Sequence, residues 1–272
     1  MSNLRPMYMS DLAHVIEIID SYDDDDAQAA EADYQESGFD DQYVLESDDK
    51  VVGVTGYRMI EETEQTAWLS WTYLDKQYCG QGLGKKMVSE AIEKFTKSDG
   101  RKLFIKVSDY IDPEHGAIYE PALMLYKKLG FNVEVTNRDF YDDGESQLIL
   151  GLDVSSNADE NSDLTAEQEN ATIIFNGIHE IVETEGAYTF QWTVDEGFKL
   201  FKKKGISSDD LLIGLKAVKA KGGRQVFLTF PSNLALMNHP LRFAGFTYIG
   251  RLTDYYEPGI DEIHYNHDLE SL

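Results

Sequence analysis

One segment of the chain has the residue types and spacing to bind a diphosphate. It reads QYCGQGLG from Gln77 to Gly84, and it lies between a predicted strand and a predicted amphipathic helix. The first turn of a helix carries backbone N–H groups without partners and the positive end of the helix dipole. Glycines are needed there because a side chain would hold phosphate oxygens out of hydrogen-bond range of the backbone. Lys85 and Lys86 follow at once and could meet further phosphate charge.

Two other glycine-rich phosphate motifs fit this segment less well. The chain has no GxxxxGK[ST] sequence. The dinucleotide pattern GxGxxG fails, because Gly80 and Gly82 are followed by Lys85 where the third glycine should stand. The sequence therefore favours a strand-to-helix turn that binds a diphosphate through its backbone.

The apolar pattern around this turn predicts the elements that position it. The helix that begins after Gly82 carries apolar residues at helical spacing and ends at Asp99-Gly100. The other predicted elements are a helix over 11–20, strands over 42–46, 51–60 and 67–74 with a hairpin turn at 61–65, a strand over 103–107, a helix over 122–129, and strands over 131–140 and 147–154. Strand-helix-strand crossovers in this order predict a mixed α/β fold.

The pattern of the first half returns in part after residue 170. The matching pairs are Trp71 with Trp192, Gly100 with Gly223, Gly130 with Gly245, and Gly144 with Gly259, at offsets of 121, 123, 115 and 115. This register predicts a degenerate duplication that begins at the third strand and lacks the opening helices. A polar segment between the halves predicts a linker, so the expected domains are 1–155, a linker over 156–170, and 171–272.

Three segments together resemble the GNAT superfamily of N-acetyltransferases. They are the opening LRPMYMSDL, the glycine-rich turn in which Gln77, Gly80 and Gly82 fill the Q/R-x-x-G-x-G/A signature, and the late box from Ala122 to Phe131. The resemblance covers residues 4 to about 154. It implies the mixed-sheet acyl-CoA N-acyltransferase fold, here in tandem with a truncated second copy, and it implies acetyl-CoA as co-substrate with no metal.

The resemblance also implies roles for individual residues. The cofactor contacts would come from Thr72, Tyr73, Leu74, Gln77, Tyr78, Cys79, Gly80, Gln81, Gly82, Leu83, Gly84 and Lys85. A backbone N–H near Leu74 would polarise the thioester carbonyl. Tyr126 stands where the family has the tyrosine that protonates the leaving thiolate. The amine would attack directly, so Cys79 need not be a nucleophile.

The identity of the general base stays open at this point. Many family members carry a glutamate on the fourth strand, but the matching stretch TAWLSWTYL contains no acid. The candidates are Glu61 or Glu62 in the predicted hairpin turn, and Asp109, Asp112, Glu114 and His115 in the long segment SDYIDPEHGAIYEP.

The second copy is expected to be catalytically empty. It has EGFKLFKKKGISSDD where the first has QYCGQGLG, and Leu241 where the first has Tyr126. Its sheet could wall the acceptor site, stabilise the first domain or form a homodimer, and the sequence leaves these roles open.

Composition limits the choice of partners. Asp and Glu number 50 against 24 Lys and Arg, a formal charge of −26, which disfavours nucleic acids and anionic membranes. The acidic run over 23–41 would border the acceptor groove that the family resemblance implies, and it favours a cationic amine. The single cysteine cannot form an internal disulfide, and no apolar run reaches the roughly 18 residues of a membrane span. A cytoplasmic location is therefore expected.

The predicted function is transfer of an acetyl group from acetyl-CoA to a primary amine of a small metabolite, polyamine or peptide. The alternative is a non-catalytic acyl-CoA-binding regulatory protein that keeps the phosphate-binding turn. A structural interaction module, which would bind no CoA, is a third option.

Overall fold

A computed structural model describes residues 2–155, 172–195 and 206–272. The predicted linker over 156–170 lies outside these residues. The chain divides into two compact units: the first comprises Met1–Ile105, Leu125–Phe131 and Leu152–Ala158, and the second comprises Lys106–Met124, Asn132–Gly151 and Asp159–Leu272.

The first unit is built on a mixed sheet. Its elements in chain order, with the two that cross the unit boundary, are β1 (Ser2–Pro6), α1 (Leu12–Asp20), α2 (Asp24–Ser37), β2 (Gln42–Ser47), β3 (Lys50–Met59), β4 (Thr66–Leu69), β5 (Tyr73–Leu74), α3 (Leu83–Lys97), β6 (Lys102–Ser108) and α4 (Glu120–Lys128). The sheet order is β1-β2-β3-β4-β6, and β5 pairs with β3. The β4–β6 pair is parallel and the other pairs are antiparallel. The mixed α/β prediction is confirmed.

The predicted strand over 67–74 is not continuous. Leu69 lies opposite Tyr57, and Tyr73 lies opposite Val54, so residues 70–72 on this strand face only residues 55–56 on β3. One extra residue on one strand is a β-bulge, which turns the strand locally. The strand therefore divides into β4 and β5 next to the predicted cofactor contacts.

The acidic segment after α1 contains a helix, to which the sequence pattern assigned no element. Asp23 caps α2, because its side chain accepts the N–H of Asp26 at 2.9 Å. Three further aspartates in the first turn favour the positive end of the helix dipole. The buried face of α2 consists of Ala27, Ala30 and Tyr34, which join α1 in one hydrophobic cluster.

Alternate residues of the β5 segment face opposite sides of the sheet. Trp71 and Tyr73 pack against the α1–α2 cluster. Leu74 packs against the cluster that contains Met87 of α3. This alternation is the usual period of a strand, and it gives the segment one face toward α1 and α2 and one toward α3.

The second unit contains the remaining strands. Its elements are β7 (Asn132–Asp142), β8 (Glu145–Asp153), β9 (Thr172–Glu180), β10 (Ala187–Asp195), α5 (Ser208–Ala220), β11 (Gln225–Pro231), α6 (Asn238–Phe243), β12 (Thr247–Glu257) and β13 (Ile260–Asp268). The strand order here is β8-β7-β12-β13-β11-β10-β9, with β10 and β11 parallel. Because β7 pairs with β12, most of residues 106–151 belong to the second unit rather than to the first.

The two sequence halves make the same backbone hydrogen bonds at matching positions, which supports the predicted duplication. The matched pairs are Arg101 N–H to Gln65 O (2.8 Å) with Arg224 N–H to Gly186 O (2.7 Å), Val154 N–H to Arg101 O (2.9 Å) with Leu269 N–H to Arg224 O (2.9 Å), and Phe131 N–H to Tyr126 O (3.1 Å) with Phe246 N–H to Leu241 O (3.0 Å). The third pair puts Leu241 at the position equivalent to Tyr126.

Candidate active site

The glycine-rich turn is open at the start of α3. Gly80 and Gly82 have φ of 74° and 79°, and a Cβ on either would meet no heavy atom within 4 Å. Gly82 is the N-cap of α3 and supplies no side-chain cap, and the helical ladder begins with Lys86 N–H donating to Gly82 O at 3.1 Å. The amides of the first turn, at residues 83–85, therefore lack helical partners and can bind an anion.

The rest of the turn is shaped by local bonds. Asp75 accepts the N–H of Gln77 at 2.9 Å, and Gln81 Nε2 donates to the Gln77 carbonyl at 3.1 Å. Tyr78 packs beside Leu83 in the cluster of α3. The side chains of Cys79 and Lys85 are exposed.

The backbone of Leu74 points away from β3. Asp75 N–H donates to Val52 O at 2.8 Å, so the amide of Asp75 faces β3. Successive residues of a strand direct their N–H and C=O groups to opposite sides. The N–H and C=O of Leu74 therefore face the other side, and Tyr22 Oη indeed donates to Leu74 O at 2.8 Å. This is the orientation that an oxyanion donor at Leu74 requires.

Tyr22 connects the α1–α2 turn to the glycine-rich segment. Its hydroxyl lies 3.5 Å from Cys79 Sγ, and the ammonium of Lys76 lies 4.6 Å from the centre of its ring. Lys76 also donates to the Ser21 carbonyl. A ligand that pairs with the Leu74 carbonyl competes with the Tyr22 hydroxyl for that oxygen.

If this turn binds CoA, as the family resemblance implies, replacing Tyr22 by phenylalanine is expected to tighten that binding. Wild type loses one hydrogen bond, worth about 1 kcal/mol, when the ligand takes the carbonyl. The Tyr22→Phe variant has no such bond to lose, so its Kd for CoA should fall about fivefold. Calorimetric titration with CoA measures the Kd of both proteins. An equal or weaker affinity of the variant would show that the Tyr22 hydroxyl keeps its contacts with Leu74 O and Cys79 Sγ while CoA is bound.

Tyr126 is the buried residue of α4. It is 4% exposed, and its ring meets Phe131 edge to face at 5.7 Å between centroids. Burial raises the pKa of Tyr126 to about 12, and a hydrogen bond with Thr72 acts in the opposite direction. The phenol is thus protonated throughout the physiological range and can act as a proton donor.

Two carboxylates of α2 bind the other face of the β5 segment. Trp71 Nε1 donates to Asp33 Oδ2 at 3.0 Å, and Arg58 pairs with the same oxygen at 3.2 Å. The hydroxyl of Tyr73 donates to Asp26. Asp33 is thus neutralised by an arginine, whereas the partner of Asp26 is an uncharged phenol.

Burial raises the pKa of Asp26. The hydrogen bond from Tyr73 opposes this shift, and the charges of Asp23 and Asp25 add to it. A half-buried carboxyl with a raised pKa next to β5 is a candidate base. In the sequence, Asp26 is one member of an acidic run, and nothing there shows that this run lies next to Tyr73, 47 residues away.

The structure does not bring Glu61 to Leu74. Glu61 and Glu62 are exposed in the hairpin turn beyond Met59. Leu74 pairs with Gly53, and Met59 lies six residues further along β3, about 20 Å at the usual rise of a strand. The turn is therefore at the far end of the strand from the predicted oxyanion donor.

The other predicted bases belong to the second unit, where Asp109 and Asp112 accept hydrogen bonds from backbone amides. Asp109 Oδ1 accepts the N–H of Ser146 at 2.6 Å. Asp112 accepts the N–H groups of Glu114 at 2.8 Å and His115 at 2.7 Å, and these bonds lower its pKa. His115 Nδ1 lies 2.9 Å from the same carboxylate. These contacts account for both aspartates as loop-forming residues.

The start of α5 differs from the start of α3. Ser207 caps it by accepting the N–H of Asp210 at 3.1 Å, and Asp209 and Asp210 fill the first turn. A capped, acidic helix start disfavours an anion. The preceding residues 196–205, the predicted counterpart of the glycine-rich turn, lie outside the described residues.

Trp192 connects β10 and β11 beyond their paired stretch. These strands pair in parallel over Ala187–Thr189, and beyond this stretch Trp192 Nε1 donates to Thr229 O at 2.8 Å. Its sequence counterpart, Trp71, instead donates to Asp33 on α2. The indole of Trp192 thus bridges two strands that would have to stay apart to admit a ligand.

Comparisons with known proteins agree with the resemblance in the first half. Residues 8–131 match the model of the acetyltransferase (GNAT) family. A Bacillus subtilis (strain 168) protein, provisionally named [ribosomal protein bS18]-alanine N-acetyltransferase, is 26% identical over 113 residues, which is 41% of this chain and 68% of that protein. In the described ranges, no helix is long and apolar enough to cross a membrane.

Two solved structures are similar at low identity. The ribosomal-protein-S18-alanine N-acetyltransferase of Escherichia coli is 20% identical, with a TM-score of 0.48 over 59% of this chain and 99% of that chain. A provisionally assigned acetyltransferase of Salmonella typhimurium, solved with its cofactor acetyl-CoA, is 17% identical, with a TM-score of 0.46 over 59% of this chain and 98% of that chain.

Proposed function

Because residues 8–131 are a domain of the acetyltransferase (GNAT) family, we propose that this chain transfers an acetyl group from acetyl-CoA to a primary amine. The observation that carries the proposal is the uncapped start of α3 behind Gly80 and Gly82. An open turn with free amides fits a diphosphate, and a Cβ at either glycine would fill the space. The exposed Lys85 adds positive charge beside it.

The backbone of β5 supplies the next contacts in this proposal. The pantetheine arm would pair with Leu74, whose N–H and C=O face away from β3, and Thr72 and Tyr73 would flank it. The N–H of Leu74 stabilises the negative charge that develops on the carbonyl oxygen during attack. Direct attack by the amine requires no enzyme nucleophile, so Cys79 has no covalent role.

In this proposal the proton donor and the proton acceptor lie on opposite faces of the β5 segment. Tyr126 and Thr72 lie on one side, and Tyr73 with Asp26 lies on the α2 side. A nucleophile and a leaving group on opposite sides of the carbonyl need separate proton acceptors and donors. We assign proton delivery to the leaving sulfur to Tyr126, and removal of the surplus proton of the amine to Asp26, through water.

The acceptor class follows from this charge arrangement and from the relatives. The α2 side presents Asp26 together with three further aspartates at the start of the helix, which favours an ammonium group. The Bacillus subtilis relative is named for the alanine of a ribosomal protein as its acceptor. We propose a peptide or protein α-amine as the acceptor, with a small polyamine as the second choice.

Release of free thiol from acetyl-CoA tests the function. The assay compares an alanine-starting basic peptide, the same peptide with a blocked N-terminus, and spermidine. Turnover of the free peptide alone supports an α-amine acceptor. Tight CoA binding without turnover of any amine would instead support the non-catalytic acyl-CoA-binding alternative, and no binding at all would support an interaction module.

Replacing Asp26 by asparagine is expected to lower kcat/KM for the amine at least tenfold, because the variant loses the proton acceptor. Asp24→Asn is the matched control: it removes one charge from the same helical turn without altering the bond to Tyr73. The Kd for CoA should stay unchanged in both variants. Equal effects of the two substitutions would show that only the net charge of the helix start matters.

The pH profile gives a second readout for Asp26. A carboxyl must be ionised to accept a proton, so wild-type activity should fall as the pH drops through the raised pKa of Asp26. That acidic limb should disappear from the residual activity of Asp26→Asn. Retention of the limb in the variant would assign it to another group.

We further propose that the second half is a degenerate copy without catalytic function. Its support is the matching hydrogen-bond pattern, Leu241 at the position of Tyr126, the capped acidic start of α5, and the indole of Trp192 between β10 and β11. One CoA bound per chain is the expected stoichiometry.

A further inference from the structure

The hairpins β7–β8 and β12–β13, both in the second unit, have matching geometry. The register of β7 against β8 shifts in two places, and the register of β12 against β13 shifts at the two places 115 residues further along the chain. At the tips, Asp139 and Asp254 have φ of 51° and 54°. Asp139 accepts the N–H of Gly144 at 2.8 Å, and Asp254 accepts the N–H of Gly259 at 2.7 Å. Residues of the two hairpins therefore correspond at a constant offset of 115 positions.

The two hairpins pair with each other through counterpart residues. In the antiparallel pairing of β7 with β12, Val135 lies opposite Gly250. These two residues are 115 positions apart, so each faces its own counterpart. A residue faces its own copy at the centre of a two-fold symmetric interface between identical subunits. The strand order β8-β7-β12-β13 has the same symmetry, here within one chain.

The backbone of β12 approaches β7 closely at this point. A Cβ on Gly250 would lie 2.9 Å from the carbonyl oxygen of Glu134 and 3.0 Å from Val135 Cγ2. The carboxylate of Glu134 also accepts the N–H of Thr253 at 2.6 Å. Glycine thus permits a contact between the two strands that a side chain would obstruct.

The second sequence half also holds the tip of the β7–β8 hairpin. Glu185 N–H donates to Tyr141 O at 2.8 Å. Arg224 Nη1 donates to Asp139 O at 3.1 Å and to Asp143 Oδ1 at 3.0 Å. Its Nε donates to the carbonyl of Glu185 at 2.8 Å. Arg224 therefore joins a turn of its own half to the hairpin tip of the first half.

Buried rings reinforce this contact. Phe140 and Phe227 are each 6% exposed, and their ring centroids are 5.0 Å apart. The fully buried Ala187 completes the cluster. Packed aromatic rings of this kind are typical of the centre of stable interfaces between subunits.

We propose that the second sequence half takes the place of a partner subunit for the first half. Its binding surface is the edge of β12 together with Arg224 and Phe227, and this surface fits the edge of β7 and the tip of the β7–β8 hairpin. The chain is then a covalently joined pseudodimer whose halves stay together without the predicted linker. This inference rests on the proposed duplication and does not depend on acetyl transfer.

Cleavage of the predicted linker tests the proposal. A single protease recognition sequence is placed within residues 156–170 of the full chain, and the folded protein is cut there. The two pieces should elute together in size-exclusion chromatography, because the pairing of β7 with β12 and the Arg224 hydrogen bonds persist. Separation of the pieces, or precipitation of one of them alone, would overturn the proposal.

Two substitutions in the second half should weaken the association of the cut pieces. Gly250→Ala places a Cβ against β7, and Arg224→Met removes the hydrogen bonds to the hairpin tip while keeping an unbranched side chain. Loss of hydrogen bonds from a charged group corresponds to an affinity about tenfold weaker or more. Analytical ultracentrifugation of a dilution series should therefore show each cut variant dissociating at a concentration at least about tenfold above that of cut wild type.

Gly222→Ala and Arg251→Met are the matched controls. A Cβ on Gly222 would meet no heavy atom within 4 Å, and Arg251 pairs with Asp261 of its own hairpin at 3.1 Å. Both cut controls should associate as wild type does. Equal weakening by Arg224→Met and Arg251→Met, or no weakening by either interface variant, would show that the assigned surface is wrong.

Hydrogen exchange gives a second measurement on the uncut chain. The amide of Glu185, which donates to Tyr141 O, should exchange at least about tenfold faster in Arg224→Met than in wild type. In Arg251→Met it should exchange at the wild-type rate. An unchanged rate in Arg224→Met would refute its role at the hairpin tip. None of these measurements uses acetyl-CoA, so failure of the proposed function would leave their outcome unaffected.

Discussion

Replacing Gly82 by valine is expected to weaken CoA binding at least 100-fold. Its Cβ and methyl groups would occupy the open space in front of the free amides at the start of α3. The loss of two hydrogen bonds to a charged diphosphate costs about 3 kcal/mol or more, which corresponds to about two orders of magnitude in Kd. Calorimetric titration with CoA measures the affinity and the stoichiometry together.

Gly144→Val provides the matched control for this experiment. Gly144 has a φ of 82°, close to the 79° of Gly82, and a Cβ there also meets nothing within 4 Å. Both substitutions should therefore lower stability by a similar 1–3 kcal/mol, roughly the strain of a side chain at positive φ. Only the Gly82 variant should lose CoA. A folded Gly82→Val chain that binds CoA as wild type does would refute the proposed phosphate site.

The same titration tests whether the second half is empty. Wild type should bind one CoA per chain, and Gly82→Val should bind none at concentrations that saturate wild type. A residual site in the variant would place a second acyl-CoA site elsewhere in the chain.

Replacing Tyr126 by phenylalanine is expected to lower kcat about 100-fold, the lower range for loss of a positioned proton donor. The Kd for CoA should change little, because the proposed contacts to the diphosphate and to the Leu74 backbone remain. The measurement is thiol release under saturating acetyl-CoA. A variant with full kcat would leave the buried tyrosine as a packing residue only.

Tyr57→Phe controls for the loss of a buried hydroxyl. Tyr57 is 2% exposed, and its hydroxyl lies 3.1 Å from Ser98 Oγ. Both Tyr→Phe changes should cost about 1 kcal/mol of stability. Only Tyr126→Phe should reduce turnover.

The pH dependence of kcat offers an independent check on Tyr126. Burial raises its pKa to about 12, so the acid form persists well above the usual tyrosine pKa of about 10. Ionisation of this donor would lower kcat only as the pH approaches the raised value. The kcat of wild type should therefore show no decline between about pH 8 and 10 that Tyr126→Phe removes.

Local signals predicted most elements and the proposed phosphate-binding turn. The helix after Gly82 follows from apolar residues at helical spacing, and α3 runs from Leu83 to Lys97 as that pattern requires. The glycines at 80 and 82 have the positive φ that explains why glycine stands there. Such features depend on neighbouring residues in the chain, so they can be recognised from the sequence before the tertiary structure is known.

Contacts between distant segments of the chain were harder to predict from the sequence. The bulge that divides β4 from β5 arises from register against β3, which the alternation of one strand does not encode. The helix α2 was not predicted, because its acidic composition is typical of a solvated loop. Burial of Ala27, Ala30 and Tyr34 stabilises it. Helical stability of this kind comes from packing and not from local propensity.

The family resemblance, the proposed phosphate-binding turn and the candidate Tyr126 could all be found from the sequence, because glycine spacing and apolar periodicity are properties of contiguous residues. Which carboxylate lies next to β5 depends on how distant segments pack. Glu61, a candidate by sequence, lies at the far end of β3, whereas Asp26 binds the hydroxyl of Tyr73, 47 residues away. The physical reason is that hydrogen bonds and proton transfer act over about 3 Å, and distances of that kind between remote residues are fixed only when the helices pack on the sheet.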